Sequence, residues 1–399
     1  MDWQLGLPVL RGPGVMLREP RMADAAAFFA HLTSLPVTRF ISTPPDSPAG
    51  FERFVSWVQH ERQLGRHVCY AVVPDDSHEA VGLIQVRQIE AGFGTAEWGF
   101  ALAEPHWGTG LFVEAARLIL DFAFRIMRVH RIEARASVSN GRGNGALKKL
   151  GAVPEGILRQ SFANDTIRTD QILWAMIADD WLAANPDAIS RVDEQVVQEP
   201  EGRPADRART VAPWRQLLPT LRGERVILRA LASGDAPGLA AAFANPDVSR
   251  YIPPPPATAS EFERFIAWTH SQRETGTMLC FGVVPDGLAH AIGIFQLHEL
   301  EPPFRTAEWG FILSRPYWCT GLFERCARPL LDFAFGTVGV TRLEARAMAA
   351  NARANAVLRK LGATEEGHLR RSFLLGGEYH DDFLWSILAT DWKGSPLLV

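Results

Sequence analysis

Cysteine is scarce in this sequence: four in 399 residues, with no Cys-x-x-Cys pair and no Cys/His cluster at ligand spacing. That absence leaves a metal or redox role without a basis, and Cys69, Cys280, Cys319 and Cys326 are expected to be buried, reduced thiols. A surplus of basic charge is missing too: the formal net charge is -4, which gives no reason to expect a nucleic-acid or anionic-membrane partner. No run approaches the roughly 18 apolar residues of a spanning helix, and Asp2 opens no basic-then-apolar leader. A cytoplasmic protein is the expectation. Two nucleotide signatures are also absent. No third glycine completes a dinucleotide-binding turn after an early strand, and no Gly-Lys-Ser/Thr ends a phosphate loop, which disfavours ATP or GTP. Ser137 and Ser161 have no His and Asp at nucleophile-elbow spacing, which argues against a serine hydrolase.

What is present is a repeat. Thr95-Ala96-Glu97-Trp98-Gly99-Phe100 returns 211 residues later as Thr306-Ala307-Glu308-Trp309-Gly310-Phe311, and Lys149-Leu150-Gly151-Ala152 returns as Lys360 to Ala363. So long a period means that each copy buries a complete core of its own. The expected organisation is an N-terminal domain over 1–188, a linker over 189–211 and a C-terminal domain over 212–399. The linker stretch has no aromatic residue, mixes acids such as Asp193 and Glu199 with Arg191 and Arg203, and carries Pro200 and Pro204, a composition that cannot form a core.

Within the first copy, periodicity predicts a strand at 15–18, a helix over 22–32, and a second helix on Phe51, Phe54, Val55 and Val58 that ends by Gly65. Strands at 68–73, 81–89 and 95–102 follow. A helix starts from Gly110 on the stripe Leu111, Ala115, Leu118, Phe122 and Ile126. A strand at 132–138, a short helix at 144–150 and strands at 157–162 and 172–177 complete the copy. The fold class is α/β (α+β): in each copy a mixed sheet flanked by helices.

Trp107-Gly108-Thr109-Gly110-Leu111-Phe112 lies between a strand and the strongest helix, where glycines and a helix start favour an anion such as a pyrophosphate; a plain tight turn is the other reading. Taken in order, Glu97-Trp98-Gly99-Phe100, this turn, His130-Arg131-Ile132-Glu133-Ala134-Arg135, and Asn140 followed by Leu147 and Lys149-Leu150-Gly151 form a set that resembles the GNAT superfamily of N-acetyltransferases. Within it, the set is similar to the branch that acts on ribosomal-protein N-termini. The resemblance implies a splayed, mainly antiparallel sheet and acetyl-coenzyme A as cofactor, with its pyrophosphate on residues 107–112. It puts the pantetheine along 95–102, near Phe100 and Leu102, and turns Asn140 and Asn144 towards the cofactor. The second copy carries the counterparts Thr320, Gly321, Leu322, Phe323, Asn351 and Asn355, with Cys319 in place of the first glycine, so the first copy is expected to be the more active. Phe112 and Phe323 either crowd the phosphates or point into the core.

Acetyl transfer to an amine needs a base, an oxyanion donor and a proton for the thiolate. Glu97 and Glu308 are the candidate bases, with an ion pair to an arginine such as Arg135 as the alternative role. Backbone N–H groups near Phe100 to Leu102 are the candidate oxyanion donors. Leu147 and Leu358 occupy the place where the family often has Tyr, so Asn144 and Asn355 are the candidates beside the sulfur, or else helix N-caps. Trp57, Trp98 and Trp174, repeated as Trp268, Trp309 and Trp385, are expected to line core or substrate walls. The expected function is acetyl-coenzyme A-dependent acetylation of a protein N-terminus or a small amine by an internal pseudo-dimer. The rival is a non-catalytic coenzyme A-binding scaffold of degenerate domains.

Overall fold

The computed structural model describes residues 2–164, 167–186, 192–193 and 212–394. The chain divides into two compact units, Met1–Arg207 and Ala208–Val399. The division falls inside the stretch expected to be a linker. Of that stretch only Val192 and Asp193 are described, as a strand paired with Leu10 and Val9; the remainder lies outside the described residues.

In the first unit the order is β1 (Val9–Gly12), β2 (Val15–Arg18), α1 (Ala25–Leu32), α2 (Leu35–Thr38), α3 (Pro48–Gln63), β3 (His67–Pro74), β4 (Gly82–Gln88) and β5 (Thr95–Leu102). It continues with α4 (Leu111–Asp121), β6 (Arg131–Ser137), α5 (Gly141–Lys149), β7 (Val153–Asn164), β8 (Ile167–Ile177), α6 (Ala178–Ala184) and β9 (Val192–Asp193). β1 to β5 form an antiparallel series, and β6, β8 and β7 form another. Every residue of β3 is buried, because the sheet is covered on both faces. Val68, Tyr70 and Val72 pack with Ala115, Ile119 and Phe122 of the α4 segment. Cys69, Ala71 and Val73 pack with Phe28 of α1 and with Phe51 and Val55 of α3.

The two series meet at one short parallel contact, which the α4 crossover makes possible. Thr95, Ala96 and Glu97 pair with Arg131, Ile132 and Glu133, and no pairing continues beyond Glu97. β5 stays paired to β4 as far as Leu102, while β6 follows β8 along its whole length. The edge of β5 facing β6 is therefore open from Trp98 onward. At the base of this opening the fully buried Arg131 donates to Glu133 at 3.0 Å and to Glu155 at 2.6 Å, tying β6 to β7.

The second unit repeats this plan: α7 (Pro213–Gln216), β10 (Leu221–Gly223), β11 (Val226–Ala230), α8 (Ala236–Phe243), α9 (Pro246–Ser249), α10 (Ala259–Thr275), β12 (Met278–Pro285) and β13 (Gly293–Glu301). Then come β14 (Thr306–Leu313), α11 (Leu322–Phe333), β15 (Arg342–Met348), α12 (Ala352–Lys360), β16 (Thr364–Leu375) and β17 (Glu378–Leu388). Its parallel contact again stops at the carboxylate, Glu308 opposite Glu344. Arg342 again donates to two buried carboxylates, Glu344 at 2.9 Å and Glu366 at 2.6 Å.

Several expectations are corrected. β1 and α6 were not anticipated, and α5 begins at Gly141 rather than at 144. β7 is longer than 157–162, and its register shifts around Gln160, whose φ of 50° marks a bulge. Cys319 is exposed, unlike the buried Cys69, Cys280 and Cys326, whose thiols burial pushes well above the ordinary range. Trp57 and Trp268 are 39% and 47% exposed and are not core residues. Among the described residues no His, Cys, Asp and Glu group could hold a metal, and no helix is long and apolar enough to cross a membrane.

Candidate active site at a glycine turn and an open strand edge

The turn after β5 is built from its own side chains. Trp107 Nε1 donates to the carbonyl of Leu102 at 2.8 Å, which folds the ring back onto the end of the strand. Thr109 Oγ1 donates to the carbonyl of His106 at 2.9 Å and accepts from Leu111 N at 3.3 Å. Gly108 and Gly110 have φ of 77° and 93°, a region that only glycine enters without cost. Among the described residues no protein acceptor takes the N–H of Gly108, Thr109 or Gly110, and the first N–H groups of α4 have no partner within the helix. All three residues are exposed, and a Cβ added at either glycine would meet nothing within 4 Å. The turn is thus a set of N–H donors at a positive helix end, facing open space, which suits a phosphate.

The second unit reproduces the turn bond for bond. Trp318 Nε1 reaches Leu313 O at 2.8 Å, Thr320 Oγ1 reaches Tyr317 O at 2.8 Å, and Leu322 N reaches Thr320 Oγ1 at 3.4 Å. Gly321 keeps φ at 78°, and Cys319 adopts the left-handed backbone of the glycine it replaces, with φ of 60°. Phe112 and Phe323 turn inward. Their rings lie 4.2 Å from Phe100 and 4.5 Å from Phe311, beside Trp98 and Trp309, so they join the core and do not lie over the turn.

Alternation along β5 sends Trp98 and Phe100 to the α4 face and Glu97 and Gly99 to the other face. Glu97 lies at the last parallel pair, where the strands separate. Arg87, opposite it on β4, donates to one carboxylate oxygen, and Arg135 Nε lies 4.0 Å from the other. The ion-pair role is therefore real, with Arg87 as the main partner in place of the expected Arg135. Glu308 faces His298 at the same register position of β13, and burial pushes that imidazole below its ordinary value, towards the neutral form. Beside each carboxylate, Gly99 and Gly310 are exposed, with nothing within 4 Å of an added Cβ. Neither glycine was singled out from the sequence, although both stand inside the repeated Glu-Trp-Gly-Phe; Arg87 was missed because its counterpart is not an arginine.

The asparagines exchange roles. Asn140 and Asn351 cap α5 and α12, accepting from Gly143 N at 2.9 Å and Ala354 N at 3.1 Å. Asn144 and Asn355 lie inside the helices, so the alternative N-cap role for them is corrected. Asn144 accepts from Trp174 Nε1 at 2.9 Å and donates to Ser137 O at 2.9 Å. Asn355 does the same with Trp385 at 2.9 Å and Met348 O at 3.0 Å. Each amide thereby braces its helix to the sheet, with its carbonyl oxygen taken by the indole of β8 or β17.

Comparison with known proteins identifies the family. The acetyltransferase (GNAT) domain model matches residues 15–153 and again 225–364. The "Uncharacterized N-acetyltransferase YoaA" of Bacillus subtilis is 26% identical over 177 residues, 43% of this chain and 98% of that protein. The "[Ribosomal protein uS5]-alanine N-acetyltransferase" of Escherichia coli is 24% identical over 135 residues, 34% of this chain and 70% of that protein. Among solved structures, Mycobacterium smegmatis RimJ in complex with CoA-disulfide is 24% identical with a TM-score of 0.40, over 45% of this chain and 96% of that one. The two matched stretches cover more than half of the sequence, and the chain therefore belongs to the GNAT acetyltransferases, as two tandem domains of a family that moves acetyl groups from acetyl-coenzyme A to amines.

Proposed function

We propose that each unit holds acetyl-coenzyme A with its diphosphate on the N–H groups of residues 107–112 or 318–323. The pantetheine arm follows the open edge of β5 or β14, and the acetyl group ends beside Glu97 or Glu308. The acceptor is the α-amine of a protein N-terminus, a reading supported by the relative named as a ribosomal protein uS5 alanine N-acetyltransferase. It enters on the Glu97 face, over the open ground at Gly99. The amine nitrogen attacks the thioester carbonyl carbon, and its proton passes to the glutamate. Backbone N–H groups near Phe100 to Leu102 receive the developing oxyanion. The C–S bond then breaks, and water protonates the thiolate, because the amides of Asn144 and Asn355 do not readily give up a proton.

The observation that carries this reading is the joint recurrence of three parts in both units: a turn with open N–H donors, a strand edge released at a carboxylate, and a bare glycine beside that carboxylate. A degenerate scaffold would have no cause to keep all three twice.

A thermal-shift titration with acetyl-coenzyme A, followed by thiol release against peptides with free and blocked N-termini, tests it. The protein should be stabilised by acetyl-coenzyme A and turn over only the free amine. The combined Glu97→Gln/Glu308→Gln variant should lose about 100-fold or more in kcat. Gly99→Val with Gly310→Val should keep the coenzyme shift and abolish turnover, since the added side chains enter open space on the acceptor side. No shift and no turnover in the unmodified protein would end the proposal.

A further inference from the structure

Arginine in the first turn of a helix opposes the helix dipole, because the free N–H groups there already carry partial positive charge. α5 and α12 nevertheless both hold one, Arg142 and Arg353, with no acidic residue in either first turn. Each guanidinium lies over the indole that opens the glycine turn: Arg142 is 4.8 Å from the Trp107 ring and Arg353 is 4.0 Å from the Trp318 ring. Each indole is itself fixed by its hydrogen bond to Leu102 or Leu313. Among the described residues no carboxylate pairs with either arginine. Arg315 provides a contrast: it also approaches Trp318, at 4.9 Å, but its charge is met by Asp247 at 3.1 Å. Two units whose surfaces have otherwise diverged thus keep an exposed, uncompensated guanidinium stacked beside a turn whose N–H groups face open space.

We infer that Arg142 and Arg353 are phosphate-recognition residues of the two coenzyme sites, completing on the α5 and α12 side the anion site that the glycine turn begins. This rests on the proposed coenzyme site at that turn. Trp107 and Trp318 act as platforms that hold the guanidinium at the turn, which lowers the cost of ordering a long side chain when the phosphate binds.

Isothermal titration of the full chain with coenzyme A, 3′-dephospho-coenzyme A and phosphate-free pantetheine separates the possibilities. Arg142→Ala with Arg353→Ala should weaken coenzyme A binding by about tenfold or more, with a shallower dependence on salt, and should leave pantetheine binding unchanged. Equal weakening for coenzyme A and its dephospho form assigns the pyrophosphate, whereas weakening confined to coenzyme A assigns the 3′-phosphate. Lysine at both positions should recover part of the affinity, because charge returns without the planar stacking. Unchanged coenzyme A affinity in the alanine variant, or an equal loss for pantetheine, would overturn the assignment while leaving the coenzyme site intact. Failure of the unmodified protein to bind coenzyme A would instead remove the site itself, and the assignment with it.

Discussion

His67 and Met278 occupy equivalent places in the two units, and only one of them titrates. His67 is buried at the start of β3 with Trp57 edge-on at 5.0 Å, and its Nε2 has no hydrogen-bond partner. Burial lowers its pKa from an ordinary 6.5 to about 4. The unfolded chain binds the proton first, so the stability His67 permits is fully present above about pH 6.5 and is lost as pH falls towards 4. At pH 5 the loss is about 2 kcal/mol. His67→Met should remove most of this acid sensitivity, read as the difference in urea midpoint between pH 7.5 and pH 5; an undiminished difference would place the sensitivity elsewhere. Cys319 makes a second comparison. It holds φ of 60° where Gly108 holds 77°, and a Cβ at Gly108 would touch nothing within 4 Å, so the cost of a side chain there is that of the backbone alone. Gly108→Cys should destabilise by about 1 kcal/mol and Cys319→Gly should stabilise by a similar or smaller amount, measured by chemical unfolding. The sequence displayed the Gly/Cys difference but not its sign, because the left-handed backbone belongs to the turn and not to the residue.

α5 shows how tertiary contacts override local preference. Its sequence Gly141-Arg142-Gly143-Asn144-Gly145 is a poor helix start, and the corresponding stretch of α12 has alanine at all three glycine positions. The helix forms because Asn140 caps it, Asn144 is clamped by Trp174 and Ser137, and Leu147 is buried. Propensity alone therefore delayed the expected start to 144. Added methyl groups at Gly141 and Gly145 would meet nothing within 4 Å, and neither has positive φ. Gly141→Ala and Gly145→Ala should each stabilise the first unit by about 0.5–1 kcal/mol, with additive gains in melting temperature. A loss at either position would mean that α5 needs glycine for close approach by something absent from the free chain. Elsewhere the elements were legible where burial follows a simple period: β3, β5 and the α4 stripe lie where the pattern of apolar residues puts them. The β1 hairpin, α6 and the bulge at Gln160 depend on pairing and turn geometry, and short segments do not announce these. Nor could spacing reveal that β5 and β6 part after Glu97, since release from a partner leaves no mark on the strand that is released.

At the scale of the molecule, duplication supplied an internal control for reading the site: what recurs at 211 residues' distance and keeps its bonds belongs to the fold or to shared chemistry. The differences then divide the two units. The first has the unstrained turn, with glycine at 108, and Arg87 donates to one oxygen of its carboxylate. The second has Cys319 in the left-handed backbone of its turn, and His298, which burial holds towards the neutral form, stands across from Glu308. Both turns keep their N–H donors facing open space, so the full chain should bind two equivalents of acetyl-coenzyme A by calorimetry. Gly110→Val and Gly321→Val should each remove one equivalent, because a β-branched residue cannot hold the left-handed backbone of these positions. Turnover should divide unequally. Glu97→Gln should remove the larger share of activity and Glu308→Gln the smaller, because Cys319 strains the second turn, and Arg87→Gln should raise the contribution of the first unit in the Glu308→Gln background by freeing a carboxylate oxygen. The opposite ranking would show that the backbone at Cys319 does not limit the rate, and would give the leading place to the second unit.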